Sequence, residues 1–571
     1  MSEIATPKGH PKGLYILFAT EMWERFNYYG MRAILILFMT KALLFDKAFA
    51  SNLYGSYTSL VYLTPLIGGF IADRYWGNQR SIIAGGLVMA LGEFLLFFCG
   101  STYQSSPDLS MLLFFSGLGL MIAGNGFFKP NISSLVGQLY PVGDRRIDPA
   151  YTIFYMGINV GGALGPFVCG LVGETGNPAD FKWAFLAGGI GMLLSVLVQM
   201  AFAKQYVIDP EGNELGKAPA GVRTEWVKPV LMIVGLALFA TLAIALLYID
   251  AKVFSYLSYL LIAAAIFIFI LTYFDRSLSK QERDRIAVIF IVAFFVIFFW
   301  SAFEQAGASL TFFADEQTNR HLGIDWPSWI IYPVGLVMFY FIYKLFQTTK
   351  VALSGVTESK LRNTVFALLF AGAGAVLYGI ISVAMGGAER IKMDELPAST
   401  FQSLNSLFVV IFAPVFAWLW LKLGKYEPSA PTKMAWGLFL LSLGYLWIAF
   451  GVKDVQPGIK VSMIWLVGMY ALHTWGELCL SPIGLSLVNK LAPIKFASLL
   501  MAVWFLANAF ANKLAGVLSA LYPDNKTTNF LGYEMTNLYD FFMLFLVMSG
   551  VASLILFILS RKLLKMMHGL N

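Results

Sequence analysis

Near the start of the chain, the stretch TEMWERFNYYGMR sets Glu21, Glu24 and Arg25 at i, i+3 and i+4. Tyr28, Tyr29 and Arg32 carry the stripe on by one and two further turns. On a helix of 3.6 residues per turn these side chains lie close to one face. Two carboxylates beside one guanidinium cannot both ionise cheaply, so the pair is suited to taking up and releasing a proton as a unit. A structural salt-bridge cluster is the plainer alternative, but it does not call for so many charges on one stripe. Further charges sit in apolar surroundings. Lys129 lies in GNGFFKPNISS, where Pro130 frees backbone groups and permits a bend. Glu304 lies in FWSAFEQAG, Glu477 in HTWGELCLSPIG and Glu93 in MALGEFLLF. Setting Glu21, Glu24, Glu304 and Glu477 against Arg25, Arg32 and Lys129 leaves one excess negative charge, which one bound proton balances. Glu93 stays outside that sum, either as a lipid-interface residue or as part of the site.

These charges need elements that can hold them in a medium hostile to charge. Of 571 residues 58% are hydrophobic and only 13% charged, with a mean hydropathy of +0.70. A soluble domain carries about 25% charged residues, so the chain's solvent is the lipid bilayer. A span needs about 20 mostly apolar residues. Such runs fall near 13–42, 51–76, 81–100, 109–138, 150–173 and 183–203, then 228–248 and 254–274. They continue near 284–313, 328–347, 363–385, 400–421, 434–452, 461–489, 497–521 and 540–561. The fold class is therefore all-α integral membrane, with about sixteen spans. Six spans, a basic linker with a hairpin around Asp250 and Lys252, and a second membrane half suggest a two-bundle transporter with repeated halves. The expected divisions are a first bundle over 1–204, linker and hairpin over 205–282, and a second bundle over 283–571 with a further inserted hairpin near 322–396. Basic residues gather in alternate loops (Arg74 and Arg80, Arg145 and Arg146, the run DRSLSKQERDR, Lys422 and Lys425), while STYQSSPD and GETGNPAD have none. Both termini are then cytoplasmic, in the cell's inner membrane.

Other classes find little support. The net charge of +7 reflects this loop bias and not nucleic-acid binding. Cys99, Cys169 and Cys479 lie far apart, and of the histidines only His473 is in a span, so no metal or other cofactor is expected. An enzyme would need a catalytic constellation or a large polar domain, and the sequence offers neither.

Several motifs in order resemble the proton-dependent oligopeptide transporters, a branch of the major facilitator superfamily, in their bacterial form. Glu21-Met-Trp-Glu24-Arg25 is similar to that family's ExxER motif. GGFIADRYWG looks like its loop motif, and FYMGINVGG resembles its second signature. FEQAG around Glu304, FQSLNSLFVVIFAP around Asn405, GELCLSPIG around Glu477 and WFLAN around Trp504 extend the resemblance over nearly the whole chain.

The resemblance implies two six-helix bundles plus extra helices, importing di- and tripeptides with protons. It implies proton coupling through Glu21, Glu24, Arg25 and Glu304. It also implies an outer gate formed by Arg32 and Glu304, and a peptide carboxylate held by Arg32 and Lys129. Glu477 would take the peptide ammonium and face Lys129 across the cavity, pairing with it when no substrate is bound. Asn159 and Asn405 would bond the peptide backbone, and Tyr28, Tyr29, Tyr62, Trp300 and Trp504 would line the pocket, with Ser481 beside Glu477. Trp300 and Trp504 equally suit ordinary packing or an interfacial belt. Physically, a zwitterion needs opposite charges one peptide length apart, since each buried end is tolerated only beside a counter-charge. The same branch includes proton-coupled carriers of nitrate and other small anions, the alternative reading, but an anion has no use for an amine-binding glutamate. The chain departs from the family twice. Gly55 stands where animal relatives carry a histidine, so coupling rests on carboxylates. The segment 322–396 is an additional insertion, expected as a peripheral hairpin.

Overall fold

The computed structural model describes residues 9–141, 143–218, 229–252, 256–327, 340, 343, 390–456, 458–524 and 526–570. Every run read as a span outside 322–396 is helical. The first half comprises α1 (Lys12–Leu37), α2 (Lys47–Ile71), α3 (Asn78–Thr102), α4 (Pro107–Gln138), α5 (Ile147–Gly173) and α6 (Phe181–Tyr206). A hairpin follows, of α7 (Pro229–Lys252) and α8 (Tyr256–Tyr273). The second half comprises α9 (Lys280–Phe303), α10 (Ser309–Glu316), α11 (Ser403–Leu423), α12 (Ala430–Val452), α13 (Ile464–Leu491), α14 (Ala497–Ser519) and α15 (Leu538–Met566). Among the described residues, eleven helical stretches are long and apolar enough to cross a membrane. The helices α1, α2 and α13 are long but carry the charged, hydroxyl and amide side chains of the interior. A helix suits lipid because it satisfies its own backbone polar groups, leaving only its ends to be capped. Asp46 caps α2 through the amides of Ala48 and Phe49, and Ser279 with Glu282 forms a capping box on α9.

One expected span is not continuous. The run 284–313 breaks after Phe303 into a tight turn, Glu304–Gly307, before resuming as α10. Gly307 in this turn makes room for Tyr54: a Cβ there would meet Tyr54 Oη at 1.8 Å. The turn sets Glu304 at a helix end inside the bundle.

The halves are built by pairwise packing, α1 on α5 and α6, α3 on α4 and α6, and α2 on α4. In the second half α12 packs on α13 and α15, and α9 on α14 and α15. The halves meet along α2 with α14 and α5 with α11. The hairpin helices divide their loyalties, since α7 packs on α4 and α2 while α8 packs on α14 and α9. Both described ends of the chain lie at one end of the helices. Lys12 sits over the Tyr206 ring at the close of α6, and His568 bonds Asp284 at the start of α9. We call this the termini end, and the opposite one the far end.

The chain divides into two compact units, Met1–Asn319 with Pro397–Asn571, and Arg320–Leu396. In the second unit His321–Pro327 pairs antiparallel with Arg390–Glu395. The inserted spans expected at 328–347 and 363–385 lie outside the described residues, apart from Tyr340 and Tyr343.

Candidate functional site

The charged stripe of α1 faces inward as its spacing predicts. Arg25 Nε lies 2.8 Å from Glu21 Oε1 and 2.8 Å from Glu24 Oε2. Glu24 is 0% exposed, and its other oxygen accepts from Asn125 Nδ2 on α4 at 3.0 Å. Asn125 lies one helical turn before Lys129, whose ammonium stands 4.5 Å from the centre of the Tyr62 ring and feels the Glu24 and Glu21 charges. What presses the stripe into place is α5. A Cβ on Gly161 would come within 2.2 Å of the Met22 carbonyl, so the GINVGG motif is the small-residue surface on which α1 rests.

One and two turns further along, Tyr28 and Tyr29 pack edge to face at 5.3 Å, and the Arg32 guanidinium lies 5.3 Å from the Tyr29 ring. Arg32 Nη1 reaches Glu304 Oε2 at 2.9 Å, an ion pair joining the two halves. The far end is closed by more of the same. Lys41 pairs with Asp315, Lys47 with both Glu316 and Asp524, and Glu174 accepts the amides of Ala398 and Ser399. Here α2 and α14 almost touch. A Cβ on Gly55 would stand 2.7 Å from Gly516 Cα, so the position that lacks a histidine has no room for one on this backbone. Gly55→Leu is expected to prise the helices apart, lowering the melting temperature by the cost of overpacking, about 1–3 kcal/mol. Unchanged melting in detergent would show that the contact yields freely.

On the second half, Asn405 Nδ2 donates to Glu477 Oε2 at 2.8 Å and lies 3.2 Å from Thr474 Oγ1. The six-membered ring of Trp504 lies against Gly484, and Trp300 packs edge-on to Phe299 and Phe303. Asn159 is buried on α5, its amide donating to the Tyr155 carbonyl. Tyr155, one turn before Asn159, keeps 39% of its surface open. Tyr28 Oη, Trp300 Nε1 and Ser481 Oγ are shielded without a partner among the described residues.

The ion pair expected between Lys129 and Glu477 is not among those made. Glu477 is held by Asn405 and Lys129 lies over Tyr62, each within its own half. The halves are joined at Arg32–Glu304 and across the far end, and at the level of Lys129 and Glu477 each charge keeps to its own side. Glu93 is neither at the lipid interface nor beside the arginines. It is 0% exposed inside the first half, accepts from Asn27 Nδ2 at 2.8 Å and packs against Gly188 and Gly189.

Sequence reasoning passed over Asn125, whose signal is its position on the Lys129 face of α4. It also passed over Lys513 on α14, although the rule that singles out Lys129, a charge within a span, applies equally there. Among the described residues no group of His, Cys, Asp and Glu could hold a metal ion.

Two helical halves with charged side chains buried inside them, joined at one end by interhalf ion pairs, define a membrane transporter of the major facilitator type. The sequence profile of the POT family matches residues 79–392 and 381–538, and the chain belongs to that family. It is 33% identical over 529 residues to the uncharacterized transporter YclF of Bacillus subtilis, covering 92% of this chain and 90% of the relative. It is 32% identical over 529 residues to the peptide transporter YePEPT of Yersinia enterocolitica, covering 89% and 88%. A di-/tripeptide transporter of Lactococcus lactis is 28% identical over 578 residues, covering 98% and 97%. Among solved structures, a peptide transporter POT in complex with sulfate superposes with a TM-score of 0.72 at 30% identity, over 99% of this chain and 97% of that one. A POT family transporter in complex with a thioalcohol conjugated peptide does so with a TM-score of 0.72 at 27% identity, over 97% of both.

Proposed function

We propose that this protein is a symporter that carries di- and tripeptides together with protons by alternating access. The observation that carries the reading is the charge layout: Arg32 and Lys129 on the first half and Glu477 on the second, around aromatic walls. Such a layout suits a zwitterion, whose carboxylate goes to the cations and whose ammonium goes to the glutamate. The naming of relatives as peptide transporters, and the peptide conjugate bound to a structural neighbour, support the same substrate class. Asn159 and Asn405 bond the peptide backbone, and Tyr28, Tyr29, Tyr62, Trp300, Ser481 and Trp504 line the pocket. Glu21 and Glu24 take the proton beside the Arg25 guanidinium they share, and Glu304 links it to the gate through Arg32. The bundles are 1–204 and 283–571, joined by 205–282. Both termini face the cytoplasm across the inner membrane, so the far end is the outer one and the described conformation faces inward.

The test is uptake of a labelled neutral dipeptide into proteoliposomes under an imposed pH gradient and membrane potential. About 100 mV supplies about 2.3 kcal/mol per charge, a concentration ratio of roughly 50 per proton. Accumulation is expected to collapse with an uncoupler. Accumulation that survives it would remove proton drive, and nitrate uptake without dipeptide uptake would establish the anion carrier instead.

A further inference from the structure

At the far end, a buried cluster outside the peptide site ties three parts of the molecule together. Lys513 on α14 and Asp250 on α7 are each 1% exposed, with Nζ 2.6 Å from Oδ2. Ser56 on α2 completes the group: its hydroxyl lies 2.7 Å from Lys513 Nζ and makes a short bond to the same Asp250 oxygen. The second oxygen of Asp250 accepts from the Leu257 amide at 2.9 Å, at the start of α8. Asp250 therefore sits at the apex of the hairpin, where its two helices join.

The parts so joined belong to different moving bodies. Leu236 of α7 is packed into one apolar cluster with Trp76 and Phe127, and Gly119 lets Ile244 press onto α4, so α7 is fixed to the first half. Lys513 belongs to the second half, one turn from Gly516, where α14 meets Gly55 of α2. Ser519 and Ser51 bond at 3.2 Å across the same seam. Opening the far end separates α14 from α2, and Lys513 must then leave either Asp250 or its own helix's position. A buried ion pair that loses one partner strands the other charge away from water, so separation is opposed strongly. Lipid offers nothing in exchange.

We propose that Asp250, Lys513 and Ser56 form a latch through which the hairpin holds the far end closed, so that the hairpin governs how readily the transporter opens there. This rests on the alternating-access reading, but not on the identity of the substrate.

The measurement is the distance distribution between spin labels at Ser105→Cys, in the exposed α3–α4 turn, and Lys526→Cys, in the exposed segment after α14. The native cysteines Cys99, Cys169 and Cys479 are all buried, which leaves the introduced ones to react. Without substrate, the parent should show one dominant short distance. The neutral double variant Asp250→Asn with Lys513→Met should raise a longer-distance population several-fold while keeping the parental melting temperature. If that variant does not fold, Ser56→Ala carries the test, since it keeps both charges paired and removes only the bridging hydroxyl. It should raise the same population to a lesser degree. A folded variant with the parental distribution overturns the latch, and so does a drop in melting temperature with no shift in distance, which would make the cluster structural only. Failure of dipeptide uptake would leave this measurement standing, so the two readings fail separately.

Discussion

Glu24→Gln should abolish accumulation of dipeptide against a gradient while leaving exchange of pre-loaded dipeptide within a few-fold of the parent. Glu24 shares the Arg25 guanidinium with Glu21 and takes a second hydrogen bond from Asn125, and it has no contact with water. A glutamine there preserves the volume and can still accept from Asn125, so the cavity keeps its shape. It cannot take up or release a proton, and Arg25 keeps Glu21 as its partner. Without a proton to carry, the drive of about 2.3 kcal/mol per 100 mV is lost, and the steady concentration ratio falls from roughly 50 to one. Glu21→Gln should act in the same sense, because the two carboxylates share one guanidinium. Normal accumulation in both variants would make the stripe a structural cluster. Loss of exchange together with accumulation would mean that the cavity itself had failed.

The second large effect concerns the peptide amine. Glu477 is a buried carboxylate of the second half, and Asn405 rather than Lys129 holds it. An ammonium arriving at Glu477 therefore has no Lys129–Glu477 pair to break first. Glu477→Gln should weaken an unmodified dipeptide by about 3 kcal/mol, roughly a hundredfold, because a desolvated ammonium loses its counter-charge. The same substitution should hardly affect the N-acetylated dipeptide, which has no ammonium to lose. The four affinities close a thermodynamic cycle whose coupling term isolates the contact. Coupling near zero would show that Glu477 does not read the amine, and the anion-carrier reading would gain. Since Asn405 donates to Glu477 Oε2, Asn405 also positions the carboxylate, and its amide is available to a glutamine as well.

Much of this was legible in the chain alone. Hydrophobic runs longer than the bilayer is thick leave helices as the only economical form, so spans and lipid surroundings follow from composition and length. The charges of α1 share a face because helical periodicity is local, and their spacing therefore predicts their proximity before any tertiary structure is known. Motif order pointed to the family, and the profile match over 79–538 agrees.

What only the tertiary structure decided are the pairings between elements distant in sequence. Lys513 and Asp250 lie 263 positions apart, and nothing in either local pattern selects the other as partner. Glu93 had no visible partner until α1 brought Asn27 beside it, and Lys129 and Glu477 complement each other in sequence but here keep to separate halves. The reason is physical. Local geometry determines which side chains share a helix face, whereas partners across helices depend on how closely two backbones approach. That approach is governed by where glycines such as Gly55, Gly161 and Gly516 meet, and by which end of a two-body transporter is closed.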